Sequence, residues 1–515
     1  MSHLAYQPPG PAVELEADYV VVGSGAGGAM AAVTLARGGA KVVVVEAGPW
    51  RDPEDYPSTA YAGLRDLFDD WGTLITSGRA FWPVVQGRAV GGTTVINSAI
   101  CVRTPGDIFD SWKKDHGIDG LADSVWRYQD QIERELSVEE VPERARGHSN
   151  RLAIIGAEKV GYESHVMRRY VKHCQGEGQC LQGCRGRRKQ STNITYIPEV
   201  QRLGGQILSC APVERVRIEG RTAVGVEGRF VHPATKKKGA RYFVRATKAV
   251  LVAASAVHTP LILMRSGVKS PALGEHFRSH PGTGVFGLFD DPVDMNIGAT
   301  QGWASTAFRE NPGLKLETLA IPPEMVASRL AGGGAELTRR LSRYRHMAMW
   351  VHAVRAESVG SVRPGLFGKP VVRYSFNRRD MERLRKGLHI VAQTHIAAGA
   401  KAVVPGIFGL PYELKADEID KILEASLEPR NYVAVLSHLF GGAVMGADPA
   451  RSVVDGTGKV HGYERLYVAD AAALPTTLGV NPQHTIMGVA ATFAEGLLSA
   501  QGQKPKPRAS TPAAA

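Results

Sequence analysis

Three glycines and one acidic residue near the start of the 515-residue chain have types and spacing suited to holding a phosphorylated ligand. Gly23, Gly25 and Gly28 form the pattern G-x-G-x-x-G directly after the apolar run at 19–22. The first glycine permits a tight turn, the second lets the backbone approach a pyrophosphate, and the third lets a helix pack close to a strand. Glu46 follows a second apolar run and can accept a hydrogen bond from a ribose hydroxyl. These residues predict a dinucleotide site and leave the choice between FAD and NAD open.

A strand–turn–helix–strand unit must position these four residues. The runs at 19–22 and 41–45 are apolar and rich in β-branched residues, as buried parallel strands are, and 26–37 contains good helix formers. The start of that helix would direct free N–H groups and the positive end of its dipole at a phosphate. The sequence therefore predicts an α/β protein with a Rossmann-like domain.

A second glycine-rich element follows at 87–97, with the sequence GRAVGGTTVIN. Gly91 and Gly92 precede Thr93 and Thr94, which places backbone N–H groups and hydroxyls where a phosphate or a ring carbonyl could bind. A Gly-Gly turn is usually structural. Its distance from the first motif favours contact with the same cofactor.

Composition and charge exclude several classes of function. The net charge of +12 comes from scattered basic residues without interleaved aromatic ones, so we expect no nucleic-acid partner. Five cysteines in a chain of this length do not form a disulfide framework, and the first residues do not form a secretory signal. The most apolar stretch, 250–264, is too short to span a bilayer. We expect a cytoplasmic enzyme without a transmembrane segment, with peripheral membrane contact left open.

The remaining chain divides into two kinds of sequence. Three apolar runs at 207–218, 222–230 and 242–252 predict a β-meander, whereas 285–430 mixes short strands, helices and Gly/Pro loops. The class is thus α/β, or α+β over the whole chain. We predict a discontinuous cofactor-binding domain (14–110, 201–284 and 431–500), an inserted substrate-binding domain of antiparallel sheet and helices (111–200 and 285–430), and loose termini (1–13 and 501–515).

Several separated segments together resemble one family, the glucose–methanol–choline (GMC) oxidoreductases, which are flavoproteins that oxidise alcohols. The glycine-rich element at 87–97 and the segment at 255–267 are similar to two signatures of that family, and 273–281 is similar to a third. The C-terminal segments at 437–442, 454–460, 466–470 and 481–485 match in order and spacing. The resemblance covers nearly the whole chain and is weakest at 285–430 and at 174–184.

The resemblance implies FAD rather than NAD. Family members that bind FAD covalently carry a histidine at the position of Ile96, so here the FAD is expected to be non-covalent. By position, the ADP half would be held by Gly23, Gly25, Gly28 and Glu46, the diphosphate and flavin by Arg88, Gly92, Thr93 and Asn97, the adenine by the backbone of Val213, the ribityl–diphosphate by Asp470 and Ala471, and the flavin pyrimidine by Asn481, Pro482, Thr485 and the helix that they begin.

The same resemblance assigns catalysis to His438 and Asn481. An imidazole can remove the hydroxyl proton of an alcohol while a hydride leaves for flavin N5, and the amide can hold the alcohol oxygen. The His–Asn pair resembles that of the cholesterol oxidase and long-chain alcohol oxidase-like branches, although Leu439 replaces the usual proline. His484 is expected to be structural. The aromatic stretch at 52–82, a lid or an ordinary surface excursion, favours a hydrophobic primary or secondary alcohol, with oxygen or another electron acceptor.

The cysteines and the fold leave other interpretations open. Cys174, Cys180 and Cys184 could hold an iron–sulfur cluster, as in some dehydrogenase branches of the family, or could be reduced thiols; their spacing matches no strict cluster rule, so no metal site is predicted. Cys101 and Cys210 are expected to be buried. The alternatives in function are an iron–sulfur-containing sugar or alcohol dehydrogenase, a hydroxynitrile lyase on the same fold, a fatty-acid photoenzyme and an NAD-dependent dehydrogenase.

Overall fold

Two large sheets form the frame of the molecule, which the computed structural model describes over residues 2–508. The strands are β1 (His3–Leu4), β2 (Val13–Val22), β3 (Val42–Val45), β4 (Thr76–Ser77), β5 (Val138–Glu140), β6 (His165–Val166), β7 (Arg168–Tyr170), β8 (Gln206–Leu208), β9 (Val213–Glu219), β10 (Thr222–Val231), β11 (Lys238–Val252), β12 (Arg278–Leu288), β13 (Trp303–Ser305), β14 (Leu314–Thr318), β15 (Met347–Val354), β16 (Ser361–Pro364), β17 (Pro370–Arg373), β18 (Ala402–Val404), β19 (Val435–Phe440) and β20 (Leu466–Val468).

Helices cover both sheets. They are α1 (Ala26–Arg37), α2 (Ala60–Leu67), α3 (Gly106–His116), α4 (Ala122–Glu135), α5 (Gly147–Lys159), α6 (Tyr196–Arg202), α7 (Ser255–Arg265), α8 (Pro323–Ala327), α9 (Gly334–Leu341), α10 (Arg378–Ala397), α11 (Lys421–Glu424) and α12 (Gln483–Ser499). None of the helices in the described range is long and apolar enough to cross a bilayer.

The eight-stranded sheet contains the predicted Rossmann-like unit. Its order is β1-β8-β3-β2-β11-β10-β9, and β20 pairs with β11. The strands β1, β8, β3, β2, β11 and β20 pair in parallel, whereas β9, β10 and β11 form an antiparallel meander. The α/β class and the meander are therefore confirmed. The run at 207–218 contains two strands, because β8 ends at Leu208 and Val213 starts β9 instead of ending a longer strand.

The β-branched run of β2 explains why this sheet is buried on both faces. Val20 and Val22 join the hydrophobic cluster on one face, which α3 and α7 cover. Tyr19 and Val21 point to the opposite face, because successive side chains of a strand alternate, and join the cluster that α1 and α12 cover. A strand with apolar residues at every position is what a sheet between two helical layers requires.

The seven-stranded sheet is antiparallel. Its order is β18-β12-β15-β14-β13-β6, and β19 pairs with the first half of β12. The helix α10 packs on it through Leu384, Leu388 and Val391. This sheet with its helices is the expected second architecture. The division into two domains remains a proposal. Its boundaries would shift, because β12 begins at Arg278 and β19 lies at 435–440, so both of these strands start within segments assigned to the cofactor-binding domain.

Both chain ends differ from the expected loose segments where the structure describes them. His3 and Leu4 pair in parallel with β8, so an edge strand extends the first sheet. At the other end the backbone N–H of Lys506 donates to the Arg37 carbonyl, and Arg508 forms an ion pair with Glu199. Residues 509–515 of the predicted loose tail lie outside the described residues.

The turn between β2 and α1 depends on an unusually close backbone approach. A Cβ atom at Gly28 would lie 2.1 Å from the Gly23 carbonyl oxygen, and Gly23 itself has φ +98°. The helix can therefore reach the end of the strand only without a side chain at position 28. By contrast, a Cβ at Gly496 of α12 would meet nothing within 4 Å.

Alanine substitutions at these two glycines should have opposite effects on stability. Gly28→Ala should lower the free energy of unfolding by about 2 kcal/mol or more, because backbone atoms must move apart. Gly496→Ala, the control, should raise it by about 0.5–1 kcal/mol, because alanine has the higher helix propensity. Urea unfolding of both variants measures this. A Gly28→Ala protein as stable as the parent would contradict the packing described.

Candidate active site

The two predicted glycine turns lie against each other. A Cβ at Gly92 would come within 2.9 Å of the Gly25 Cα, so these two backbones are in contact. Gly91 and Gly92 both have positive φ, +100° and +52°, and start a 3-10 helix over Gly92–Val95. Two segments that are distant in sequence therefore present one continuous backbone surface at the start of α1.

Ser24 joins the two turns through hydrogen bonds. Its hydroxyl donates to Glu46 Oε2 at 2.7 Å and accepts from the Gly91 N–H at 2.9 Å, 67 residues along the chain. Its backbone N–H also donates to Glu46 Oε2 at 3.0 Å, and the Thr192 hydroxyl donates to its carbonyl at 2.9 Å. The sequence analysis missed Ser24 and Thr192. Ser24 lies between the first two glycines of the pattern, and this position was the only feature of the sequence that could have indicated its role.

Glu46, the residue predicted to bind the ribose, is buried, and its carboxylate also stabilises the turn at Ser24. Its second oxygen accepts from the Gly48 N–H at 2.7 Å. Burial raises the pKa of Glu46, and the hydrogen bonds from Ser24 and Gly48 oppose that rise. Three protein donors leave one of about four acceptor positions of the carboxylate for a ligand hydroxyl.

The surface around Gly25 fits the pyrophosphate of a dinucleotide. Gly25 is the N-cap of α1 and no side chain caps that end, so the first N–H groups of the helix are available to an anion. A Cβ at Gly25 would meet nothing nearer than the Gly92 Cα at 4.0 Å, so one side of this backbone is open. A diphosphate is bound by free N–H donors that face open space, and the N-terminus of α1 provides such donors.

The other predicted residues of the second turn are held by protein partners. Arg88 pairs with Asp69 at 3.2 Å, and the same carboxylate meets His258 at 2.6 Å. Thr93 Oγ1 accepts from the Gly87 N–H at 3.0 Å. Asn97 donates to Gln483 Oε1 at 2.6 Å, which ties this turn to the first residue of α12.

The predicted C-terminal cofactor residues lie at the same end of the sheet as the glycine turn, where a Cβ at Gly27 would come within 3.1 Å of the Asp470 Cα. Asp470 follows β20, and its carboxylate accepts from Ser255 N at 2.7 Å, Thr259 Oγ1 at 2.6 Å and Ala472 N at 2.8 Å. Burial raises the pKa of Asp470 to about 6 against these three donors. The side chain thus joins β20 to α7. Ala471 is buried in the 3-10 turn Ala471–Ala473 that follows.

The start of α12 contains two more predicted site residues. Pro482 is the N-cap, and no side chain caps this end either. Thr485 is fully buried against the Thr104 hydroxyl at 2.8 Å. His484 points elsewhere, to Glu133 Oε1 at 3.3 Å, which agrees with the structural role expected for it.

His438 and Asn481, which are 43 residues apart, come together at one end of the second sheet. His438 lies in β19, and Asn481 directly precedes α12. Asn481 Nδ2 lies 3.4 Å from His438 Nε2. The amide and the imidazole are therefore close enough to contact one hydroxyl group between them.

A buried ion pair orients the amide of Asn481, and the sequence analysis did not find it. Lys315 in β14 donates to Asn481 Oδ1 and pairs with Glu317 at 2.6 Å. The exposed fractions are 3% for Lys315 and 6% for Glu317. Glu317 also accepts from Gln301 Nε2 at 3.0 Å. Because Lys315 occupies the amide oxygen, the NH₂ group of Asn481 is turned toward His438. The sequence could have indicated this ion pair, because Lys315 and Glu317 carry opposite charges two residues apart in the strand LKLET.

His280 in β12 is the second partner of His438. Its Nε2 accepts from the backbone N–H groups of Leu478 at 3.1 Å and Gly479 at 2.9 Å, and its Nδ1 lies 3.4 Å from His438 Nδ1. A neutral imidazole carries one N–H, so the proton of His280 resides on Nδ1. That proton favours a His438 that accepts at Nδ1, whereas the Asn481 NH₂ favours a His438 that accepts at Nε2.

Both histidines are neutral at neutral pH. Burial lowers the pKa of His438 to about 4; Lys315 adds to that effect and Glu317 opposes it. Burial and the neighbouring His438 lower the pKa of His280 well below its ordinary value. A ring held neutral has a lone pair available, so the site contains a proton acceptor at working pH.

Comparison with known proteins agrees with the architecture. Models of the GMC oxidoreductase family match residues 17–282 (N-terminal part) and 357–490 (C-terminal part). An uncharacterized GMC-type oxidoreductase of Mycobacterium tuberculosis is 38% identical over 486 residues, which are 93% of this chain and 75% of that protein. The long-chain-alcohol oxidase FAO1 of Arabidopsis thaliana is 29% identical over 93% of this chain and 66% of its own.

A solved structure has the same fold. It is the formate oxidase of Aspergillus oryzae in a variant made to study FAD modification, and it superposes with a TM-score of 0.70 at 18% identity over 95% of this chain and 98% of its own. The donors around Gly25 fit the diphosphate of FAD, which is the cofactor of this chain. On these matches and this geometry, the chain belongs to the GMC oxidoreductase family and is a flavin-dependent oxidoreductase.

Proposed function

We propose that this oxidoreductase converts a hydrophobic primary or secondary alcohol to its carbonyl compound, with His438 as the base. The observation that carries the proposal is the meeting of His438 and Asn481 at 3.4 Å, with the oxygen of the amide already occupied by Lys315. Similarity to a long-chain-alcohol oxidase supports the class of substrate.

FAD, when bound, accepts a hydride from the alcohol carbon at its N5 atom. The residues proposed to hold it are the open turn at Gly23, Gly25, Gly28 and Gly92, the polar groups of Glu46, Arg88, Thr93 and Asn97, the backbone at Val213, Asp470 and Ala471, and the start of α12 at Asn481, Pro482 and Thr485.

We propose non-covalent binding, because Ile96 offers no atom for a bond. Heat denaturation should then release the flavin into the supernatant, and flavin left in the precipitate would contradict this.

Asn481 favours the form of His438 that can act as a base. To take a hydroxyl proton at Nε2, His438 must carry its own proton on Nδ1. The NH₂ group of Asn481 favours this tautomer by donating toward Nε2, whereas the Nδ1–H of His280 favours the other tautomer. The same NH₂ group can pass to the alcohol oxygen when the alcohol binds. An amide N–H aimed at that oxygen stabilises the negative charge that develops as the proton leaves.

The aromatic stretch at 52–82 supports the proposal of a hydrophobic alcohol. The stretch at 52–82 contributes Trp82 to the core of the second sheet, while Tyr61, Trp71 and Phe81 stay exposed at its surface. The excursion is therefore partly packed on the core. A long apolar chain loses unfavourable contact with water on such a surface, which favours hydrophobic alcohols over sugars.

Replacing His438 should stop reduction of the flavin without releasing it. When the FAD-loaded protein is mixed with a panel of alcohols without oxygen, loss of the yellow absorbance reports hydride transfer. His438→Ala should slow this step by about 10²–10⁴-fold, the usual contribution of a general base. His148→Ala, a change to an exposed histidine, is the control and should reduce normally.

The same assay separates the alternatives. An unchanged rate in His438→Ala would remove His438 from the mechanism, and an absence of bleaching with every alcohol would favour a lyase. Reoxidation by oxygen with release of hydrogen peroxide marks an oxidase. Reoxidation only by quinones or dyes marks a dehydrogenase.

Removing Lys315 should impair catalysis more than binding. Lys315→Met frees the amide of Asn481 to rotate, so the rate of flavin reduction at saturating alcohol should fall by about a hundredfold, the cost of misplacing one group by about 1 Å. This variant also leaves Glu317 buried without its partner, which destabilises a protein. The double variant Lys315→Met, Glu317→Gln removes both charges and serves as the stability control. If it reduces its flavin at the parental rate, Lys315 does not position Asn481.

A further inference from the structure

Three cysteines outside the active site surround a buried guanidinium. This thiol cluster consists of Cys174, Cys180 and Cys184, and its cation is Arg169. Arg169 is fully buried; it donates from Nη2 to Cys180 Sγ at 2.9 Å and from Nε to the Ser98 carbonyl at 2.6 Å. Its Nη1 has no hydrogen-bond partner among the described residues.

A second buried cation lies on the other side of the same loop. Lys189, 2% exposed, donates from Nζ to the carbonyls of Val95 at 2.5 Å, Asn97 at 2.8 Å and Cys180 at 2.8 Å. Its backbone N–H donates to Cys184 Sγ at 3.4 Å. Within the described chain, neither Lys189 nor Arg169 forms an ion pair with a carboxylate.

Two buried cations without a carboxylate need another negative charge nearby, because an uncompensated buried charge is costly. The Cys180 thiolate is the group in position to supply it. Burial alone would raise the pKa of Cys180, but Arg169 and Lys189 outweigh that effect and lower it to about 7. Burial raises the pKa of Cys101 to about 12 and also raises that of Cys210, and both thiols are buried.

The cluster is open to small solutes. A surface cavity is lined by Cys174, Cys180, Cys184 and residues 175–179. Cys180 and Cys184 are partly exposed, whereas Cys174 is 8% exposed. An electropositive, partly exposed thiol with other thiols beside it is the environment in which cysteines react with oxidants.

We propose that Cys180 is a peroxide-reactive thiolate that forms a reversible disulfide with another member of the thiol cluster. In the first step the Cys180 sulfur attacks one oxygen of hydrogen peroxide, the O–O bond breaks, and Cys180 sulfenic acid and hydroxide form. In the second step the sulfur of Cys174 or Cys184 attacks the sulfenic sulfur and expels its hydroxyl group as water. Two thiols lose two electrons in total, and with the protons that the thiols release the peroxide becomes two molecules of water.

The first test measures reactivity in the FAD-loaded protein without any alcohol, so its result is independent of the proposed alcohol oxidation. Iodoacetamide labelling is followed at each cysteine by mass spectrometry as the pH is raised. Cys180 should label with a midpoint near pH 7, and Cys101 and Cys210 should stay unlabelled under the same conditions. Labelling of Cys180 only at the pH of an ordinary thiol would overturn the proposal.

The second test adds hydrogen peroxide. One equivalent should produce a disulfide from Cys180 to Cys174 or Cys184 that dithiothreitol reverses, and dimedone added with the peroxide should trap the sulfenic acid on Cys180. Cys180→Ser should abolish both products, while Cys101→Ser, the matched control, should leave both unchanged. Three thiols that survive excess peroxide, or that are found bound to iron and sulfide in the isolated protein, would overturn the proposal.

Arg169 can be tested as the positioning residue. Arg169→Gln should lower the labelling rate of Cys180 at neutral pH by about tenfold, because the thiolate fraction falls as the pKa returns toward that of a free cysteine. Arg169→Lys keeps a positive charge and should recover most of the rate. Equal rates in Arg169→Gln and in the parent would show that the guanidinium does not activate Cys180.

Discussion

The hydroxyl of Ser24, held between the carboxylate of Glu46 and the backbone of Gly91, is the contact on which the cofactor site depends. It fixes two turns that arrive from different parts of the chain, and it does so where the backbones of Gly25 and Gly92 touch. Neither turn alone would present its N–H groups in a defined direction. Because the link is buried, losing one partner would leave a polar group without a hydrogen bond, so the turns are held together strongly.

Local pattern predicted the elements better than it predicted their partners. The apolar run of β2, the glycine turn and the meander follow from alternation and from the steric needs of glycine, which act over a few residues. Lys315, His280 and Ser24 each have one partner that lies more than 60 residues away along the chain, and no local pattern reveals those contacts. The ends of the elements were also not predicted. His3 lies in an edge strand because the backbone groups of β8 were available for pairing.

Charge burial organises both reactive regions of the molecule. Near His438, burial keeps the imidazole uncharged and available as a proton acceptor, while the charges of Lys315 and Glu317 act on its pKa in opposite directions. In the thiol cluster, Arg169 and Lys189 have no carboxylate partner among the described residues, and the Cys180 thiolate is proposed to supply the compensating negative charge. Desolvation therefore keeps His438 neutral, whereas at Cys180 the neighbouring cations outweigh desolvation and favour the thiolate.

The pH dependence of anaerobic flavin reduction at low alcohol concentration shows whether a neutral His438 accepts the alcohol proton. Protonation removes the lone pair, so the rate must fall as the pH drops through the pKa of His438. We expect a constant rate around neutrality and a fall centred near pH 4. A fall centred at the ordinary histidine value of 6.5, or a rate that does not change with pH, would contradict it.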